Sequence, residues 1–418
     1  MILTYNNNNK RVLLVVLLIL ISIKYKPTHV VNASNSSYQN TMEFNGTTID
    51  YWPTTGWLNS TPEAQGMDSN KLEQMKYSIQ KQNIAIDSVI IVKNGYIIFE
   101  DYFSYYTQNH LHRLYSVTKS FISALIGIAI QKGYINSIDQ KIVEFFPDKS
   151  IANLDSRKKS ITLEHALTMS TGLKWDEWTY PYTDSRNDAY KMDFSSDCVQ
   201  YVLDREMINE PGEEFEYNSG VSHVLSAIIQ RSTGKSTLDF AQEVLFNPLG
   251  IYKASWARDS QGVCFGGAGL SLCPRDMAKF GYLYLNNGIW DNTTVISKEW
   301  VETSTTSLIS TYFSVNYGYQ WWVFPSTEIF FASGFRGQNI MVIPRENMIV
   351  VFTASLNDLG FDPEYELLQN YILRAIVNSS AISYNGDSIS LGYNIPYVII
   401  VIIPIVIHII RRKKNLRK

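Results

Sequence analysis

Serine–lysine pairs separated by three positions are the first residues in this 418-residue chain that could do chemistry. A serine hydroxyl becomes a good nucleophile when a base removes its proton, and a neutral lysine amine can be that base. The same spacing also arises by chance on exposed helices. Four such pairs occur: Ser78/Lys81, Ser116/Lys119, Ser156/Lys159 and Ser232/Lys235.

Ser116 differs from the other three serines because a long apolar run follows it, V-T-K-S-F-I-S-A-L-I-G-I-A-I at residues 117–130. The run is apolar on nearly every face beyond its first turn, which predicts a buried helix. The free N–H groups at its start favour negative charge. Lys119 lies one turn on, where burial lowers the pKa of a lysine. The alternative is that Ser116 only caps the helix.

The other three pairs lie in sequence settings that give a lysine no reason to lose its proton. Ser78 and Lys81 fall on a predicted exposed helix face. Ser156 lies in a charged segment predicted to be a loop, and Ser232 lies in a predicted turn between helices. Ser116 is therefore the candidate nucleophile.

The elements that must position Ser116 are a hairpin, a helical middle and a group of C-terminal strands. Two β-rich runs flank Asn94-Gly95 within residues 87–103, which predicts a hairpin. Residues 68–82, most of 160–250, the segment after Pro274 and residues 363–376 have helical patterns. Strand patterns occur at 319–324, 329–335, 338–343 and 348–354. The hairpin and the later strands are predicted to form one sheet.

Two further motifs accompany Ser116 and Lys119. Tyr217-Asn218-Ser219 lies about a hundred residues on, and F-A-S-G-F-R-G-Q occupies 331–338. With S-V-T-K this order resembles the penicillin-recognising serine hydrolases, the family of serine β-lactamases and penicillin-binding proteins. The resemblance covers residues 55–378. It is closest to the class C branch with carboxylesterases and 6-aminohexanoate-dimer hydrolases.

The resemblance implies a role for each matching residue. Ser116 would be the acylating nucleophile, Lys119 its base and Tyr217 a proton relay. The backbone N–H groups of Ser116 and Phe335 would form the oxyanion hole, and Ser219 would support the network. Further substrate-side residues are Ser333 and Gly334, with Trp175, Trp178 and Tyr182 as a possible pocket wall. The alternatives are a core aromatic for Tyr217 and a tight strand end for Ser333-Gly334.

The third motif departs from the family pattern at its first two positions. Ala332 and Ser333 stand where members that process β-lactams carry Lys or His before Thr-Gly. That cation holds the carboxylate of a β-lactam. Its absence argues against a true β-lactamase and favours the esterase and amide-hydrolase relatives. Arg336 is the nearby residue that could replace the positive charge.

The fold implied by the resemblance is α+β and β-lactamase/transpeptidase-like. An antiparallel sheet of the N-terminal hairpin and the C-terminal meander would be flanked by helices. A mainly helical insertion is expected at about residues 135–265 of a catalytic domain spanning 61–378. Residues 34–60 read as a polar linker.

The two ends of the chain indicate a membrane protein. Residues 1–33 predict a signal peptide or an N-terminal anchor, and 391–410 predict a transmembrane helix followed by the basic tail 411–418. This pattern predicts a single-pass type I protein with its body outside the cytosol. N-glycans are expected at sequons, which start at Asn32, Asn35, Asn45, Asn59, Asn292 and Asn378.

Composition narrows the function classes. A net charge of −3 argues against nucleic-acid binding. No H-E-x-x-H motif and no nucleotide-binding glycine pattern is present, so we expect neither a metal nor a cofactor. Three cysteines are too few for a disulfide framework, and whether Cys264 pairs with Cys273 stays open. The predicted function is a serine hydrolase of small esters or amides. The alternative is an idle, membrane-tethered binding or adhesion protein.

Overall fold

The computed structural model describes residues 51–313, 315–325, 327–357 and 363–377. The predicted signal peptide, the predicted membrane helix at 391–410 and the basic tail lie outside the described residues, as does most of the predicted linker. Within the described ranges, no helix is long and apolar enough to cross a membrane.

Twelve α-helices and thirteen strands lie in the described ranges. The helices α1–α12 are Ser69–Lys81, Thr118–Gln131, Ser156–Ser160, Leu163–Leu167, Asp188–Asp193, Cys198–Leu203, Ser219–Thr233, Thr237–Ala241, Asn247–Leu249, Pro274–Leu285, Lys298–Ser304 and Pro363–Leu367. The strands β1–β13 are Ile86–Lys93, Tyr96–Tyr102, His112–Arg113, Ser255–Trp256, Leu270–Leu272, Ile289–Trp290, Thr293–Thr294, Ile309–Ser310, Asn316–Tyr317, Trp322–Val323, Phe330–Gly334, Gln338–Ile343 and Met348–Ala354.

The principal sheet joins the two ends of the described chain. Its order is β2-β1-β13-β12-β11-β10-β9-β8, and its neighbours pair antiparallel. In the β1–β13 ladder, Val89 lies opposite Phe352. The predicted union of hairpin and meander is therefore confirmed. Asn94 and Gly95 turn the hairpin with φ values of 52° and 86°, the left-handed conformation that a two-residue hairpin turn requires.

Both faces of the sheet are covered, and its central strands β1, β12 and β13 are buried at every position. Along β13, Ile349 and Val351 join the core that includes α2 and α10. Met348, Val350 and Phe352 point to the other face and pack with α1 and the C-terminal helical segment. This alternation follows from the period of two along a strand. The catalytic candidates lie on the α2 side.

Several predicted elements differ from the observed ones. The predicted strand at 319–324 is reduced to Trp322–Val323, because Gln320 adopts a left-handed φ of 62° and its side chain binds the carbonyls of Ala166 and Leu167. The C-terminal helix is split into α12, a π-helical turn at Leu368–Ile372 and a 3-10 turn at Leu373–Ala375.

The serines of the other three serine–lysine pairs also lie in different surroundings from those predicted. Ser78 is buried and accepts a hydrogen bond from Gln82, so its predicted exposure was wrong. Ser156 begins α3, and Ser232 lies in the last turn of α7. The three cysteines Cys198, Cys264 and Cys273 are buried and free, so the structure has no Cys264–Cys273 bridge.

Gly127 tests the packing of α2, the helix behind Ser116. A Cβ placed there would lie 2.5 Å from the indole of Trp300. We expect Gly127→Ala to lower the free energy of unfolding by about 1–3 kcal/mol, because overpacking outweighs the gain in helix propensity. Urea denaturation measures the change. Adding Trp300→Leu should recover part of the loss, and a Gly127→Ala variant as stable as the wild type would contradict this packing.

Candidate active site

Ser116 lies in a 3-10 turn, Tyr115–Val117, directly before α2. Tyr115 holds a left-handed φ of 47°, so the chain bends sharply just before the serine. The end of β11 approaches this turn closely. A Cβ at Gly334 would lie 2.2 Å from the carbonyl oxygen of Leu114 and 3.2 Å from the backbone nitrogen of Ser116. Glycine is therefore needed for the strand to reach the serine.

Lys119 is buried in the first turn of α2 and donates three hydrogen bonds. Its Nζ lies 2.9 Å from Ser116 Oγ, 3.0 Å from Ser219 Oγ and 2.8 Å from the carbonyl oxygen of Gly267. Burial lowers the pKa of Lys119 to about 8, and the nearby Glu177 carboxylate opposes that shift. Protein acceptors therefore replace water around the ammonium. Lys119 nevertheless loses its proton more readily than an exposed lysine does.

Tyr217 is 4% exposed and stands two residues before α7, whose N-cap is Asn218. Lys119 Nζ lies 4.7 Å from the centre of the Tyr217 ring. Burial raises the pKa of the Tyr217 hydroxyl, the Glu177 charge adds to the rise, and a hydrogen bond with Ser116 opposes it. The structure thus brings together Ser116, Lys119 and Tyr217.

Glu177 is a site residue that the sequence reasoning missed. Its carboxylate accepts hydrogen bonds from the backbone N–H and the hydroxyl of Ser219, each at 2.8 Å. Trp175 Nε1 donates to it at 2.6 Å and the Tyr182 hydroxyl at 3.0 Å. Because Ser219 also accepts a hydrogen bond from Lys119, a continuous hydrogen-bond path runs from Lys119 to this buried carboxylate. The W-D-E-W motif contained the only sequence signal, an acid among aromatic residues.

The predicted wall residues separate into two kinds. Trp178 is 53% exposed and its ring lies 5.3 Å from that of Tyr217, and Tyr182 lies 5.4 Å from Phe335. Trp175 departs from the prediction, because it is only 2% exposed and its indole is directed at Glu177. It packs on the buried side of the site and is not exposed at the site's opening.

The third motif lies on β11 and the turn that follows it. Ser333 and Gly334 end the strand, and the Phe335 ring lies 5.5 Å from that of Tyr115. Arg336 adopts a left-handed φ of 66°, and its guanidinium donates to the backbone carbonyls of Leu356 and Ser355. These bonds hold the guanidinium beside residues 355–356, and positions 332–333 themselves carry no lysine or histidine.

A separate buried group could offer metal ligands. Cys198, His223 and Asp259 place one ligand atom each within 4.8 Å of one another. These side chains already have partners, since His223 Nε2 lies 2.9 Å from Asp259 Oδ2 and Cys198 Sγ lies 3.1 Å from the Met192 carbonyl oxygen. The chemistry of Ser116 does not use this group.

Comparison with known proteins gives relatives that share this fold. The 6-aminohexanoate-dimer hydrolase of Paenarthrobacter ureafaciens is 23% identical over 295 residues, which cover 65% of this chain and 73% of that protein. Protein flp of Staphylococcus aureus (strain COL) is 25% identical over 190 residues, covering 44% of this chain and 37% of that protein. The solved structure of EstCE1, a hydrolase with promiscuous acyltransferase activity, superposes with a TM-score of 0.63 at 15% identity. That superposition covers 76% of this chain and 99% of EstCE1.

The sequence profile of the family described as beta-lactamase matches residues 64–370. This range contains Ser116, Lys119, Tyr217 and the whole third motif, so the match confirms the resemblance predicted from the motifs. The chain belongs to the beta-lactamase family.

Proposed function

We propose that this chain is a serine hydrolase that acts on small ester or amide substrates through an acyl-enzyme. The observation that carries the proposal is the buried lysine whose Nζ lies 2.9 Å from Ser116 Oγ. A lysine with its pKa lowered to about 8 is partly neutral near pH 7, which is what a general base requires.

In the acylation step, neutral Lys119 takes the proton of Ser116 as Oγ attacks the substrate carbonyl carbon. The carbonyl oxygen becomes an oxyanion, which the backbone N–H groups of Ser116 and Phe335 would stabilise. Tyr217 passes a proton to the leaving alcohol or amine as the bond to it breaks, and regains one from Lys119. Water then attacks the acyl-enzyme by the same route in reverse, releasing the acid and restoring Ser116.

The substrate class follows from the missing cation at the third motif. Ala332 is buried and apolar, and Arg336 is held by backbone carbonyls. At position 332 a substrate carboxylate would therefore meet a buried methyl group where β-lactam-processing members carry a cation. The names of two relatives, 6-aminohexanoate-dimer hydrolase and a hydrolase with promiscuous acyltransferase activity, support a hydrolase of this type.

The cellular setting is proposed from sequence features outside the described residues. The apolar segments at both ends support a single-pass type I membrane protein with N-glycans on its outer part. Two of the predicted glycosylation sites, Asn59 and Asn292, are exposed in the structure. Tryptic glycopeptide mapping of the chain from a eukaryotic host tests this arrangement.

Labelling with a fluorophosphonate tests the nucleophile directly. We expect the wild-type chain to take up the probe on Ser116, because the probe reacts with activated serine hydroxyls. Ser116→Ala should remove the labelling, whereas Ser156→Ala, in the charged α3, should leave it intact. Mass spectrometry of the labelled peptide identifies the site. A wild-type chain that ester, amide and fluorophosphonate probes all leave unmodified would instead support the idle binding protein.

The base and the proton relay should each be necessary for acylation. We expect Lys119→Ala and Tyr217→Phe to lower the rate constant for acylation by p-nitrophenyl acetate about 10²–10⁴-fold, the usual contribution of a general acid or base. Pre-steady-state release of p-nitrophenol measures that rate constant. A near wild-type rate in either variant would remove that residue from the mechanism.

The pH dependence should report on Lys119 and its coupling to Glu177. Because only the neutral amine is a base, kcat/KM should rise with pH and level off above about 8. Glu177→Gln removes a negative charge that raises the pKa of Lys119, so the rising limb should move to lower pH. Glu206→Gln is the matched control, since Glu206 pairs with Lys174 on the surface. A limb that stays in place in Glu177→Gln would refute the coupling.

A further inference from the structure

An exposed aromatic wall extends outward from Tyr217. Trp178 lies 5.3 Å from the Tyr217 ring, and Phe313 lies 5.7 Å from Trp178, measured between ring centres. Trp322 stacks on Tyr217 at 5.7 Å with an angle of 21° and also contacts Phe313 at 6.0 Å. These four rings, called here the Tyr217 wall, connect a catalytic hydroxyl to the surface.

The outer half of the wall is accessible. Trp178 is 53% exposed and Phe313 is 37% exposed, although both are large apolar side chains. The inner half is fixed, because Tyr217 is buried and Trp322 sits in β10. A rigid inner surface with an accessible apolar extension is the arrangement expected where a flat or apolar ligand group binds.

The wall carries no formal charge. Residues 303–327, which supply Phe313 and Trp322, contain no Asp, Glu, Lys or Arg. Beside Trp178, the Glu177 carboxylate is directed inward to Ser219. The Asp176 carboxylate accepts hydrogen bonds from the backbone N–H groups of Trp178 and Thr179. An anionic group lying against Trp178 or Phe313 would lose hydration, and neither these rings nor the two adjacent acids would supply a cation.

The position of the wall relative to the reacting atoms indicates which half of a substrate meets it. In the proposed mechanism the oxyanion donors are at Ser116 and just after β11, and Tyr217 protonates the leaving group. A leaving group that receives its proton from Tyr217 must lie against that residue, and the surface continuing outward from it is Trp178 and Phe313.

We propose that the Tyr217 wall is the binding site for the leaving group and that it selects an uncharged, apolar alcohol or amine. This inference rests on the proposed hydrolase function and adds its leaving-group specificity. Trp178 and Phe313 are specificity-determining residues under this proposal. Bound to Ser116, such a substrate would lay its aromatic or aliphatic leaving group across both rings.

Two esters separate the contribution of the leaving group from that of the acyl group. 3-Phenylpropyl acetate carries the phenyl ring on the alcohol, and ethyl 4-phenylbutanoate carries it on the acid, with ethyl acetate as the common reference. Three methylene groups separate the phenyl ring from the ester group in both, so its electronic effect is small. Acid release in a pH-stat gives kcat/KM for each ester.

We expect kcat/KM for 3-phenylpropyl acetate to exceed that for ethyl acetate by about tenfold or more, the discrimination that an apolar pocket usually provides. Trp178→Ala and Phe313→Ala should each reduce this ratio several-fold, and Trp178→Phe should retain most of it. Tyr252→Ala is the control, because Tyr252 is 77% exposed and lies outside the wall. A larger gain with ethyl 4-phenylbutanoate, or a ratio unchanged in both alanine variants, would overturn the proposal.

Fluorophosphonate labelling of the same preparations distinguishes the two levels of failure. If Ser116 is not labelled in the wild-type chain, the hydrolase function fails and the wall has no leaving group to bind. If Ser116 is labelled and the ester ratios show no preference on the alcohol side, the leaving-group site alone is refuted.

Discussion

The burial of the Lys119 ammonium is the constraint on which the site depends. A charge removed from water must be surrounded by acceptors, or its desolvation cost destabilises the fold. The acceptors come from three places: the turn before α2, the start of α7 and the loop that contains Gly267. These three contacts hold the elements in the arrangement that sets Ser116 beside Lys119.

Glu177 extends this constraint into the loop at the mouth. The carboxylate receives four donors from three residues, and Asn187 Nδ2 also binds its backbone carbonyl at 3.2 Å. The loop that carries Trp178 is thus held by the same residue that raises the pKa of Lys119. Glu177 therefore affects both the position of this loop and the pKa of Lys119. A change in the loop would alter that pKa through the hydrogen bonds of Ser219.

The sequence was most informative where local pattern and burial agree. Ser116 and Lys119 could be selected because the apolar run behind them is visible in the sequence, and the hairpin at Asn94-Gly95 follows from its turn residues. Glu177 could not be found, because a buried carboxylate and a solvated one look alike in a loop of mixed polarity. Trp175 was misplaced for the related reason that an aromatic residue can face a mouth or support it.

Tertiary hydrogen bonds also override local strand patterns. Gln320 lies in a run of β-forming residues, yet its amide binds two carbonyls of the α4 region and its carbonyl oxygen accepts the Ser120 hydroxyl. The run therefore bends where a strand was predicted. No local propensity anticipates a contact with residues more than a hundred positions away, and only the assembled domain makes it favourable.

The pairing of β1 with β13 has a consequence for how the protein is made. Val89 cannot meet Phe352 until nearly the whole domain has left the ribosome, so the central ladder closes after translation of the catalytic region. Until then the nascent hairpin β1–β2 presents an apolar, unpaired edge, the kind of surface that chaperones shield. The N-terminal half, which carries Ser116, therefore lacks its sheet partners until the C-terminal strands have been made. A chain that ended before β13 would be incomplete and prone to aggregation.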